Sequence, residues 1–187
     1  MGAAPVVDPW AAKDGQPAPP PPPGPFIRLG DDYAAFYRRE LRSLVALAAA
    51  IGGADRAEEL AQEAMLRAHQ EWDRISRYER PGAWVRRVTI NLATSSRRRR
   101  RTEALALQRV GSRRTLDVPP PEVEAFWSLV RTLPDRQRAA VALHYLDDLS
   151  VADIADAMGC AEGTAKAHLH KGRQALAAHL RAQELDR

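Results

Sequence analysis

After residue 30, apolar residues return every three or four positions through most of the chain. Nowhere do they alternate one-for-one over a useful length. The pattern predicts helices and no sheet. Tyr33, Phe36, Tyr37, Leu41, Leu44, Val45 and Ala48 form one stripe, and Gly52-Gly53 closes that helix. Asp55, with Glu58 three residues on, reads as the N-cap of a second helix. Leu60, Ala61, Ala64, Met65, Ala68 and Trp72 make its buried face; Glu58, Glu59, Gln62, Glu63, Arg67 and Glu71 make its polar one. Residues 73–82 are polar and contain Pro81-Gly82, a loop whose proline suits the first turn of the next helix. That helix runs from near Ala83 into the arginine run 97–101, with Trp84, Val85, Val88 and Leu92 inward and Arg86, Arg87, Asn91, Thr94 and Ser95 on its polar sides.

Periodicity lapses over residues 102–121, which end in Pro119-Pro120-Pro121 and read as a flexible linker. It returns near Glu122, where Val123, Phe126, Trp127 and Val130 form a stripe. Leu133-Pro134-Asp135 turns the chain into a helix reaching about Tyr145. Ser150, followed by Asp153, caps a short helix, Gly159 makes a tight turn, and a longer helix runs from about Glu162 to Leu180. The fold class is therefore all-α: two small helical domains, 31–101 and 122–187, joined by the linker. Nine of the 14 prolines lie in residues 1–25, and residues 1–30 read as a disordered or polyproline-like leader.

Residues 149–176 satisfy several demands of a helix-turn-helix at once. Ala152, Ala155 and Ala157 let a second helix approach the first, Gly159 tolerates unusual dihedrals, and Ile154, Met158, Ala165 and Leu169 fill the wedge. The second helix offers Thr164, Lys166, His168, Lys171 and Arg173 to a major groove.

Charge sharpens this picture. The net charge is +4, but it is unevenly spread: −4 over residues 31–73, +11 over 74–114, −5 over 115–161 and +2 over 162–187. Localised positive charge points to a polyanion, most simply nucleic acid. The single cysteine, Cys160, allows no internal disulfide and no Cys-rich zinc site, in keeping with a reducing, cytoplasmic location. No apolar run is long enough to span a membrane. The N-terminus has no secretory signal pattern and no glycine-rich phosphate loop occurs. No catalytic residue, metal, cofactor or small-molecule substrate is expected.

Taken together, the motifs resemble the extracytoplasmic-function (ECF) subfamily of sigma-70 factors, the promoter-recognition subunits of bacterial RNA polymerase. Glu59-Leu60-Ala61-Gln62-Glu63-Ala64-Met65 resembles region 2.2, and Trp84 to Ala93 resembles the promoter-melting helix. Leu133-Pro134 with Arg138, then Gly163-Thr164-Ala165-Lys166, resemble region 4. Arg80 to Val88 is similar to an actinobacterial, SigE-like group. The resemblance implies that Glu59, Gln62, Glu63 and Arg67 dock on the β′ clamp helices of core polymerase, and that region 4 meets the β flap. It implies that Arg77, Tyr78, Arg80, Trp84, Arg86, Arg87 and Asn91 hold the melted −10 strand, with arginines on phosphate and Asn91 on a base. Trp84, at helical spacing, suits either the core or a stacking platform. Arg97–Arg101 either extends the groove or begins the linker towards the RNA-exit path. Thr164, Lys166, His168, Lys171 and Arg173 would meet the −35 duplex. An anti-sigma factor is a further candidate partner. On this view the acidic 31–73 segment faces protein and the basic 74–114 segment faces melted DNA.

Where family members often carry Pro after the turn cysteine and Arg or Ser in the recognition helix, this chain has Ala161, Ala167 and His168. The −35 sequence is therefore not carried over. The alternative is a stand-alone helix-turn-helix regulator, which accounts for residues 122–187 but leaves the 55–101 pattern without a role. An enzyme acting on nucleic acid would need an acidic cluster, whereas the acids here fall on exposed helix faces.

Overall fold

The structure, a computed structural model, describes residues 33–107 and 121–185. The leader and residues 108–120 of the expected linker lie outside the described residues. The rest is helical: α1 (Tyr33–Gly52), a 3-10 turn at Ala54–Arg56, α2 (Ala57–Gln70), α3 (Trp72–Ile75), α4 (Pro81–Leu107), α5 (Pro121–Thr132), α6 (Asp135–Asp147), α7 (Val151–Met158) and α8 (Glu162–Leu185). No strand occurs among the described residues.

The stripe on α1 forms as expected, but the helix buries more than one face. Phe36 and Leu44 pack with Ala61, Ala64, Met65, Ile75, Trp84, Val85 and Val88 of α2–α4. Leu47, Ala48, Ala50 and Ile51 join a second cluster that contains Val130, Leu133, Leu143, Ile154, Met158 and Leu169 of α5–α8. The two helical halves thus share an apolar core, and α1, α2 and α4 each contribute to both clusters. The small residues Ala48 and Ala50 of α1 let neighbours approach closely. Large side chains that reach full burial, such as Leu47 and Ile51, each contribute about 1.5–3 kcal/mol.

Local details differ from the sequence expectations in three places. Asp55 caps nothing: α2 starts at Ala57 without a side-chain cap, because the chain enters through a 3-10 turn and Asp55 instead accepts from Arg100 at 3.2 Å. The polar stretch 73–82 contains the end of the short helix α3, and α4 begins on Pro81 itself. At its other end α4 continues through the arginines to Leu107, well into the segment read as linker; 27 residues make a rod about 40 Å long. The arginine run is tied into that rod, since Arg100 donates to the carbonyl of Gly52 and Arg97 donates to that of Arg131 at 2.7 Å.

In α5–α8 the expected turn chemistry is present. The Ser150 hydroxyl accepts the Asp153 amide at 3.1 Å, and Gly159 ends α7 with φ 65°. Val123, at the start of α5, is exposed, unlike Val130.

Candidate nucleic-acid interface

α8 is placed by four buried positions, Ala165, Leu169, Gly172 and Leu176. Gly172 allows close packing on α6: a Cβ there would stand 2.6 Å from Val141 Cγ2. With that side inward, Lys166 and Arg173 lie on one flank of the helix and Thr164, His168 and Lys171 on the other. Between them runs a stripe of Gly163, Ala167, His170 and Gln174, all exposed. His170 and Gln174 belong to the outward face, and the sequence reading passed over them. The 3.6-residue period, counted from the buried positions, would have placed them there. Arg173 is held back: it donates to His144 Nε2 at 2.6 Å and its guanidinium lies 5.6 Å from the Tyr145 ring centre. Burial, then the nearby cations Arg136 and Lys171, push the His168 pKa below its ordinary value. It is therefore neutral at physiological pH and offers hydrogen bonds rather than charge.

On α2, Glu59, Gln62, Glu63 and Arg67 share one outward side. They are laced along the helix: Arg56 donates to Glu59, Gln62 to Glu58 at 3.3 Å, and Arg67 to Glu63 at 2.8 Å. Leu66 stands among them at 52% exposure and lines a groove between α2 and α4 with Glu63, Leu92, Ser95 and Arg99. An exposed leucine inside a polar face is an apolar anchor, and sequence reading missed it. Its position one turn from Gln62 and Glu63 was the available signal.

The residues assigned to the melted strand do not form one open groove. Trp84 is a core residue: it is 8% exposed and packs in the cluster with Phe36, Met65 and Val85, which resolves its two sequence readings in favour of the core. Tyr78 is half-buried against the same cluster, with the Arg74 guanidinium 6.0 Å from its ring centre. Arg77 is exposed and Asn91 half-buried. Arg80, Arg86 and Arg87 do come together, but they face protein. Arg80 pairs with Asp153 and Asp156, the latter at 2.8 Å. Arg86 bridges Glu40 and Asp147, each at 2.8 Å. Arg87 donates to the Asp156 carbonyl. Gly82 makes room for the Arg86 bridge, since a Cβ there would meet Arg86 Nη1 at 2.6 Å. The division of the charge map into acids of 31–73 towards protein and bases of 74–114 towards DNA left the acids of 115–161 without a place. The acidic 115–161 segment lies against the basic 74–114 segment of the same chain.

No helix among the described residues is long and apolar enough to cross a membrane. Comparison with known proteins bears on both halves. The family model described as "Sigma-70 region 2" matches residues 36–103, and that described as "Sigma-70, region 4" matches residues 124–176. The chain is 36% identical over 159 residues to the ECF RNA polymerase sigma factor EcfG of Rhodopseudomonas palustris, covering 81% of this chain and 84% of that protein. It is 30% identical over 151 residues to the ECF RNA polymerase sigma factor SigW of Bacillus subtilis, covering 70% and 79%. Among solved structures, it resembles the sigma factor RpoE of Bartonella quintana, crystallised with the anti-sigma factor NepR. The TM-score is 0.67 and the identity 25%, covering 80% of this chain and 97% of that one. A helical half built around the α2 face, a second half carrying the capped α7–Gly159–α8 unit, and matches to both halves in this order make the chain a member of the ECF sigma factors of the sigma-70 family.

Proposed function

We propose that the chain binds core RNA polymerase and directs it to promoters, with residues 31–101 acting as region 2, 102–121 as linker and 122–187 as region 4. The α2 face of Glu59, Gln62, Glu63 and Arg67, with Leu66 as its apolar anchor, docks on the β′ clamp helices. Region 4 meets the β flap. Arg77, Tyr78, Arg80, Arg86, Arg87 and Asn91 hold the −10 strand, Trp84 supporting them from below. Thr164, Lys166, His168, Lys171 and Arg173 approach the −35 duplex. The protein performs no chemistry of its own and works in the cytoplasm, where the polymerase is. An anti-sigma factor regulates it, as one holds a solved relative.

The observation that carries this reading is the Ser150-capped α7, Gly159 turn and exposed-faced α8 on the same chain as a laced polar α2 face with a bare leucine. A stand-alone regulator has no use for the second feature. Gel filtration with core polymerase tests it: a stable complex that initiates transcription is expected. Tight duplex binding by the protein alone, with no complex with core, would sink the reading. Within the complex, Arg77→Ala with Asn91→Ala should reduce open-complex formation and leave core binding intact, whereas loss of core binding would show the roles misassigned.

A further inference from the structure

Arg173, on a flank of α8, is engaged by α6. Its Nη2 donates to His144 Nε2 at 2.6 Å, and its guanidinium lies 5.6 Å from the centre of the exposed Tyr145 ring. His144 is half-buried in the last turn of α6. Its other ring nitrogen, Nδ1, stands 3.4 Å from the Leu149 carbonyl oxygen. A carbonyl only accepts and a guanidinium only donates, so both contacts require the same tautomer: hydrogen on Nδ1 and a bare lone pair on Nε2. A proton added at Nε2 ends the bond to Arg173 and sets two cations face to face. The imidazolium itself is well placed, because the carbonyl end of α6 favours a cation and Leu149 still accepts from Nδ1. Arg173 is exposed, so it is the group that moves. The other groups around His144 are Tyr145, with Phe126 of α5 behind that ring, and Asp147 one turn on, whose carboxylate is held by Arg86 of α4 and Ser43 of α1. The exposed Asp148 follows at the end of the helix.

We propose that His144 is a positioning residue for Arg173 on DNA: its neutral ring holds the guanidinium against α6, and protonation releases it to a backbone phosphate, so that duplex binding takes up a proton at His144. This role rests on the assignment of Arg173 to the −35 duplex. The coupling is reciprocal, since a phosphate that draws Arg173 away restores the lone pair of Nε2 to the proton. Losing one net hydrogen bond changes an equilibrium by a factor of about five, which sets the size of the effect.

The test is fluorescence anisotropy of a short labelled duplex of mixed sequence titrated with the full chain, from about pH 8 to about pH 5.5, the range over which histidine changes charge. Phosphate contacts carry no sequence information, so no promoter consensus is needed. His144→Gln keeps an acceptor for Arg173 but takes up no proton. Over that range the native protein should gain about fivefold more affinity than His144→Gln, and only its salt dependence should steepen, by up to about one phosphate contact. His168 and His170 of α8 also take protons, and their share is common to both proteins. In an Arg173→Ala background, His144→Gln should leave the pH profile unchanged. Parallel profiles for native protein and His144→Gln, with Arg173→Ala still weakening binding, overturn the coupling alone. If Arg173→Ala binds as the native protein does, the −35 assignment of Arg173 falls and the coupling falls with it.

Discussion

Arg138 is the most buried charge among the described residues, with no exposed surface. It sits where α5 ends and α6 begins. It donates to the carbonyls of Arg131 at 3.0 Å and Leu133 at 3.1 Å and pairs with Asp135. Those carbonyls are left over from the end of α5, so the guanidinium caps one helix while bracing the first turn of the next. Burial pushes its pKa down to about 10, still far above neutrality, so it stays charged. Arg138→Met should cost about 2–4 kcal/mol, because the carbonyls lose their donor inside the protein. Arg138→Lys should recover little, as one ammonium cannot span three acceptors. Denaturant melts measure both, and a loss within about 0.5 kcal/mol for Met would reduce Arg138 to filler. His168 makes a second prediction at this scale. Its folded pKa lies below the ordinary 6.5, so between those values the unfolded chain binds more protons. Its contribution to stability is complete at neutral pH and is lost as pH falls from about 6.5 through the folded value. The melting temperature of His168→Gln should therefore fall less between neutral and mildly acid pH than that of the native protein. Parallel falls would remove His168 as the cause.

At the level of elements, the close approach of α6 and α8 depends on Gly172. Adding a methyl would bring a carbon 2.6 Å from Val141 Cγ2 and 3.3 Å from the Gln137 carbonyl. Alanine is the better helix former by about 1 kcal/mol, but overpacking costs about 1–3 kcal/mol, so Gly172→Ala should destabilise. Combined with Val141→Ala, it should cost less than the two single changes added together, a coupling a double-mutant cycle reads directly. Gly163 is the internal control: a Cβ there meets nothing within 4 Å, so Gly163→Ala should stabilise by about 0.5–1 kcal/mol. Equal effects at the two glycines would refute the packing account. The two positions also mark what could be read from sequence. Ser150, Asp153 and Gly159 declare themselves because caps and left-handed turns are local chemistry. Gly172 does not, because its need arises from Val141, far away in the chain. α1 lies between these cases. Its Tyr33-to-Ala48 stripe is legible, while Leu47, Ala50 and Ile51 widen the apolar surface beyond one side, which signals burial on two faces without naming the second neighbour.

For the molecule as a whole, the charge map was legible in magnitude, but the contact between its basic 74–114 and acidic 115–161 segments was not. A +11 segment beside a −5 segment fits either an external polyanion or an internal partner. Only the placement of Asp135, Asp147, Asp153 and Asp156 against α4 distinguishes them. The apolar core crosses the same boundary, because Ile51 of α1 is fully buried in a cluster shared with Leu143 and Met158. Two halves that bury a common cluster cannot unfold independently, since melting either exposes the apolar surface of the other. The free protein should therefore melt in one transition, with Trp127 in α5 and Trp72 and Trp84 in the other half changing together. Ile51→Ala should cost about 2–4 kcal/mol and, although it lies in α1, should lower hydrogen-exchange protection in α6 and α8 as well as in α2 and α4. If exchange speeds up only in α1, α2 and α4, the halves are separate folding units, and the ion pairs alone hold them together.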